Sequence, residues 1–524
     1  MDRTVSDIKA KGFGIDLGTT FSSVCQARVV EEPKDGKSQY VFEYVTFRNG
    51  RAEWPSVVCS PDSDKKHYEF CDQAENKAKN VLSETKRLIG MTFDNPQIQE
   101  LIARNHFDWM TIVPDDHGKV MVEYDEGGQT VKKYPWEISA MILKYLHDRI
   151  AEQRLGASDP DPDSKTNAII SVPAYFTHFQ RVDTIKAATE AGFNVVKLVN
   201  EPTAAALVYG TQTDATNERL MVFDFGGGTL DVTVMDMKMV DGNRTFQVIS
   251  THGDTFLGGV DFDRVIQDII LDQIREVDEE LYTQQFDLSN ATTDRAQRRV
   301  RFNLSNVRKK AKEVKETHLS KGDAVSFTSE DLHLQSDDEF YIDIEYREFL
   351  QRSKPLFDRC MECVKKALAV RDVPKESIDR VVLVGGSSLF VEVQRRLERL
   401  FSPRVIFRDL NFQLAVANGT AVLEDLLVTN PTRKVVQEVC PVSLGMSFRK
   451  TPTSPDYVCH LIRASEPIPK TFTIPSQTLF DNQTSVLNKI YQGNEDVPLD
   501  RNYIISYLIS NLPRRKAGEV GFTN

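Results

Sequence analysis

Cysteine is scarce in this chain. Seven in 524 residues are too few for a disulfide scaffold, and an odd count leaves at least one thiol unpaired. Such sparing use points to a reducing compartment, cytoplasmic with the nucleus as the alternative. Also missing is any apolar run of the roughly 18 to 20 residues that cross a bilayer. The N-terminal residues 1–11 mix charged and small side chains without the apolar centre of a secretory signal. No membrane partner is expected, and the sequons at Asn290 and Asn482 read as chance matches. Glycine and proline number only 27 and 22, which excludes collagen and disordered repeats. Positive charge is in deficit, 65 basic against 77 acidic residues for a net −12, so the whole chain recommends no polyanion partner. The basic stretch 295–315 reads as solvated helix surface rather than a nucleic-acid face. Phosphate loops of the GxxxxGK[ST] kind and nucleophile elbows are absent as well.

What is present suffices for several cores: 40% of residues are hydrophobic, and at about 150 residues per domain the length predicts roughly three or four folding units. Strand-like runs alternate with amphipathic stretches over residues 12–427, the pattern of an α/β protein. A connector is expected over 428–438. Residues 439–524 then offer short β-like runs broken by proline and glycine, at Tyr457–Arg463, Thr471–Pro475, Ser485–Gln492 and Tyr503–Ile509.

One internal echo carries chemistry. GIDLGTT (14–20) and FDFGGGTLDV (223–232) share an apolar strand, an Asp, a Gly/Thr turn and a second strand, as two related halves with one hairpin each would. A glycine turn lets backbone N–H groups approach phosphate oxygens because no Cβ intervenes. Two such turns facing each other could clamp a polyphosphate. Asp16 and Asp224, delivered at the same place in each hairpin, would hold hydrated Mg²⁺, which prefers a few carboxylates plus water and phosphate. Thr19, Thr20 and Thr229 add hydroxyls. Taken singly, either motif is equally an ordinary tight hairpin. Glu201 sits at a strand-to-helix junction, with Pro202 in the first helical turn and Gly210 at its end. It reads as a crevice carboxylate, with helix capping the plainer alternative. VVLVGGSS (381–388) is a strand followed by a Gly-Gly turn with room for a flat adenosine group. Cys360 and Cys363 form a lone CxxC on an amphipathic stretch, more simply core than zinc.

GIDLGTT, SVPAYF (171–176), NEPTAAALVYG (200–210), FDFGGGTLDV, GDTFLGGVDFD (253–263) and VVLVGGSS stand in the order and approximate spacing of the heat shock protein 70 family. On these motifs the chain resembles that family from about residue 12 to 427, and more weakly through VCPVSLG (439–445). The resemblance implies an actin-like ATPase fold with duplicated, ribonuclease H-like lobes around a nucleotide cleft, followed by a partial β-sandwich for peptide without a helical lid. It implies ATP and ADP with Mg²⁺, and K⁺ as a further ion. Asp16, Glu201, Asp224 and Asp231 would organise Mg²⁺ and the attacking water, and Lys86 would assist γ-phosphate cleavage beside Thr229. Nucleotide contacts would fall to Gly18, Thr19, Thr20 and Phe21, to Gly226, Gly227 and Gly228, to Gly258 and Gly259, to Glu313 and Ser320, and to Gly385, Gly386 and Ser387. Pro173 and Arg181 would relay nucleotide state to the peptide domain, and Lys197 and Asn200 would dock J-domain proteins. Unfolded or apolar peptide segments, J-domain co-chaperones and nucleotide-exchange factors are the implied partners.

The chain also departs from the pattern. Leu389 and Thr317 stand where arginines would stack on adenine, and Glu316 where a lysine would face the ribose. Two guanidinium planes on a base contribute about 0.5 to 2 kcal/mol each, so weakened nucleotide binding is expected. Val260 and the pair Gln413 and Leu414 replace acids, and KVVQE (434–438) is less apolar than the family's connector. Arg449 lies near a position that arches over the peptide, while Leu479 and Val486 keep apolar character. The favoured reading is an ATP-dependent chaperone. The alternatives are a weakly catalytic relative acting as a co-chaperone, exchange factor or binding module, and a metabolite kinase sharing the core.

Overall fold

The computed structural model describes residues 12–523 except 32–37, 48, 62–66, 76, 154–164, 335–338 and 431–433. The N-terminal segment 1–11 and the middle of the expected connector therefore lie outside the described residues.

Two sheets share one plan. In the first, β1 (Phe13–Leu17), β2 (Phe21–Glu31) and β3 (Ser38–Tyr44) form an antiparallel meander, and β4 (Thr166–Val172) and β5 (Phe193–Asn200) add in parallel on the β1 side. In the second, β6 (Asn217–Phe225), β7 (Leu230–Val240) and β8 (Asn243–Asp254) repeat the meander, and β9 (Arg380–Val384) and β10 (Ile406–Phe407) repeat the parallel addition. The strand orders β5-β4-β1-β2-β3 and β10-β9-β6-β7-β8 correspond throughout. The echo between the two Asp-Gly-Thr hairpins is thus the local trace of a duplicated topology.

Helix α1 (His178–Glu190) joins β4 to β5, and α2 (Glu201–Gln212) leaves β5 directly, with Asn200 as its cap and Pro202 in its first turn. Helices α3 (Gly259–Val277), α4 (Asp294–Thr317) and α5 (Tyr346–Ala369) build the outer part of the second half. Helix α6 (Val391–Phe401) joins β9 to β10, and α7 (Ala415–Thr429) follows as α2 does in the first half. Small residues let α2 and α7 cross closely. A Cβ on Gly419 would stand 1.8 Å from the Ala204 carbonyl oxygen, and one on Gly14 would stand 2.3 Å from the Ala421 nitrogen. One apolar core accordingly runs from Ile169 in the first sheet through Ala204, Ala205 and Leu207 to Val222 in the second. Cys360 and Cys363 are buried in the core of the second half.

Beyond α7 the chain is β-rich. Strand β11 (Val436–Val439) adds in parallel to β8 and pairs antiparallel with β14 (Pro467–Ile468), so the expected connector is partly the next strand of the second sheet. A separate sheet has the order β13-β12-β15-β16, from β12 (Leu444–Arg449), β13 (Asp456–Ile462), β15 (Val486–Gln492) and β16 (Tyr503–Ile509). Three expected runs match strands within a residue. The fourth matches only at its last residue: residues 471–474 are in no strand, and Pro475–Gln477 pairs with Gly521–Thr523. Strand β16 forms one edge of its sheet, and Ile505 and Leu508 on it are exposed.

Candidate active site

The two glycine turns meet face to face. A Cβ on Gly227 would approach the Thr20 hydroxyl to 2.5 Å, and one on Gly228 the Thr19 hydroxyl to 2.5 Å, so glycine is required by the contact. Strand β9 ends against the same place. Gly385 has φ +78°, its absent Cβ would lie 2.4 Å from the Phe225 oxygen, and the Ser387 hydroxyl donates to the Gly226 carbonyl at 2.7 Å. Between the halves opens a cleft of about 500 Å³, within the 300 to 1,000 Å³ usual for ligand sites.

Three carboxylates, Asp16, Glu201 and Asp224, and the Lys86 ammonium lie at its floor, with Asp231 close beside them. Lys86 Nζ donates to Glu201 Oε1 at 2.6 Å, both buried. Asp16 accepts from the Ser171 hydroxyl at 2.8 Å, and Asp231 from the Tyr175 backbone N–H at 3.3 Å. Asp224 Oδ2 is buried with no hydrogen-bond partner among the described residues. Burial, then the neighbouring Glu201, raises Asp16 and Asp231 to about 7 and Asp224 well above the usual carboxylate range. Burial alone would lower Lys86, but Glu201 and Asp16 outweigh it and hold the ammonium charged. So much buried negative charge around a single lysine, with one oxygen unsatisfied, is the environment a hydrated divalent cation with phosphate would complete. The residues fit Mg²⁺ and a nucleotide.

The sign of the pH dependence follows. The folded chain keeps protons on Asp16 and Asp231 up to about pH 7, whereas unfolded carboxylates release them near 3.8. The folded state binds more protons across that window, so it loses stability as pH rises through it. The melting temperature of nucleotide-free protein should fall from about pH 5 to about pH 8, and less steeply in Asp231→Asn. A melting temperature that climbs over this range would contradict the assignment.

Most of the expected residues border the cleft: Asp16, Gly18, Thr19, Thr20, Phe21, Lys86, Glu201, Asp224, Gly226, Gly227, Thr229, Gly259, Ser320, Gly385, Gly386 and Ser387. Gly228, Gly258 and Asp231 do not border it. Glu313 pairs with Lys310 at 3.0 Å beside a neighbouring hollow, and Thr317 is exposed and donates to the Glu313 carbonyl. Helix α4 turns Lys312, Lys315 and Glu316 to the cleft instead. The basic stretch is therefore not simply solvated. Lys312 Nζ lies 4.6 Å from the centre of the Phe21 ring, and Lys315 pairs with Asp263 at 2.7 Å while donating to the Gly259 carbonyl. Leu389 lines the cleft half-exposed, with no cation of its own to offer a base. Leu389→Arg should tighten ADP binding up to about ten-fold through stacking, measured by calorimetry; unchanged affinity would mean the base does not reach this wall.

Sequence reasoning missed Arg87. It is fully buried and donates to the Gly228 carbonyl at 3.0 Å and to Asp261, tying a first-half segment to the second-half turn. Arg181, expected in a relay, donates to Asn200 Oδ1 at 2.8 Å and to the carbonyls of Ala174 and Phe176. Beside it Thr203 donates to Glu438 of β11 at 2.7 Å, and the His178 N–H donates to Gln492 of β15 at 3.0 Å.

A duplicated α/β core with a ligand-sized cleft between two glycine hairpins defines an actin-like nucleotide-binding fold, here followed by β-sheet. The family model described as Hsp70 protein matches residues 12–521. The chain is similar to "Heat shock 70 kDa protein 2" of Paracoccidioides lutzii, 31% identical over 519 residues, covering 97% of this chain and 72% of the relative. It is similar also to "Heat shock 70 kDa protein" of Ajellomyces capsulatus, 31% identical over 518 residues, covering 97% and 66%. The chain belongs to the heat shock protein 70 family.

Proposed function

We propose that the chain is an ATP-dependent molecular chaperone in which ATP hydrolysis in the cleft regulates binding of unfolded polypeptide. The observation that carries this reading is the buried Lys86–Glu201 pair set among Asp16, Asp224 and Asp231 at the ends of both glycine hairpins. Bound MgATP supplies the phosphoryl group and the cation that neutralises its oxygens. The backbone N–H groups of the two turns bind phosphate, and Thr19, Thr20 and Thr229 orient it. Lys86 adds a fixed positive charge in a site screened from water, where such a charge acts most strongly. Asp231, titrating near neutral pH, is matched to accept a proton from water at physiological pH. In-line attack then rests on positioning and charge.

The link to the β-rich tail is supported by the docking of β11 on β8 beside Arg181 and Glu438. J-domain co-chaperones, exchange factors and apolar peptide segments are the proposed partners. Leu389 favours a second reading, a weakly catalytic relative serving as a binding module. Single-turnover ATP hydrolysis with and without a J-domain protein separates them: stimulated turnover supports the chaperone, and none supports the module.

A further inference from the structure

A second hollow of about 540 Å³ opens between the two halves beside the cleft, and Lys77 and Lys309 border both. Its first-half wall carries Lys77 and Lys79, and its second-half wall carries Asn306, Lys309 and Lys310 of α4. Asn306 is 8% exposed, and its Nδ2 is buried with no hydrogen-bond partner among the described residues. A buried amide donor without an acceptor among the described residues is a place where a bound acceptor fits. Among the described residues, four lysines and three carboxylates, Glu69, Glu313 and Asp331, stand around it, with His67 and His333 alongside. Glu69 pairs with Lys77 at 3.4 Å, and Glu313 with Lys310 at 3.0 Å. Burial, with the Lys77 ammonium adding to it, pushes Lys309 down to about 8. Cations from both halves thus face each other across a gap large enough for a small molecule.

We propose that this hollow binds a phosphate-bearing anion whose oxygens accept from Asn306 Nδ2 and from lysines of both halves, bridging them and slowing the opening of the nucleotide cleft. The inference rests on reading the neighbouring cleft as a nucleotide site. The phosphate is either free, as pyrophosphate, or carried on a second nucleotide.

The test starts from full-length protein saturated with ADP and excess Mg²⁺, so that the cleft is filled. One arm titrates pyrophosphate by calorimetry and follows release of a fluorescent ADP; the other titrates further ADP. One equivalent of pyrophosphate should bind and slow release several-fold, or a second equivalent of ADP should bind in its place. Asn306→Leu and Lys79→Met, neither bordering the cleft, should each weaken that binding about ten-fold, as loss of a charge-assisted hydrogen bond does. No binding beyond the first ADP in either arm, or equal binding by both variants, overturns the proposal. If the first ADP fails to bind, the cleft reading falls instead. Pyrophosphate titrated into the nucleotide-free chain and the same variants then decides the hollow alone.

Discussion

Lys86→Ala should lower the single-turnover rate of ATP hydrolysis by about a hundred- to a thousand-fold, the loss that follows removal of one preorganised charge-stabilising group. The side chain is buried against Glu201 and within the field of Asp16 and Asp224, so no solvent cation replaces it quickly. Without it the surrounding carboxylates take up protons rather than remain as bare buried charges, which preserves the fold while removing the positive charge. Three measurements belong together: the hydrolysis rate, ADP affinity and melting temperature. The expected pattern is a collapsed rate with ADP affinity reduced far less and the transition intact. A rate loss below about ten-fold, 1.4 kcal/mol, would remove Lys86 from the chemistry.

The second large effect lies away from the chemistry. Gly419→Ala places a methyl 1.8 Å from the Ala204 carbonyl oxygen, where the obstacle is backbone and cannot swing aside. Helices α2 and α7 must separate, and each is packed on a sheet, so the strain reaches both halves. Overpacking costs typically about 1 to 3 kcal/mol, and a backbone clash belongs at or above the upper end. Chemical denaturation should show that loss, with a slower ATPase because the two turns that face each other move apart. Wild-type stability in Gly419→Ala would mean the crossing is looser than described. Gly118→Ala makes a useful control, since open space surrounds that position, although its φ of +75° carries its own smaller strain.

Much of this was legible from local pattern. Each hairpin writes its apolar strand, Asp and glycine turn within ten residues, and Pro202 places Glu201 at a helix start. What escaped is long-range or phase-dependent. Arg87 looks like any surface arginine, because only the approach of a turn some 140 positions later buries it. On α4 the buried stripe Val300, Val307, Ala311 and Val314 marks the inner face, but it does not say which charged flank meets the cleft, and Lys312 and Glu316 border it. The connector reads as a linker because nothing within it announces β8, its parallel partner.

The duplication is also imperfect in one telling place. Across the first hairpin Asp16 pairs with Ser23, and across the second Asp224 pairs with Asp231. The two loops have equal length, so Ser23 is the counterpart of Asp231, a neutral hydroxyl opposite a carboxylate. A two-fold device built from identical arms would accept a phosphate chain in either direction. With one arm altered, the two ends of the cleft are chemically unlike.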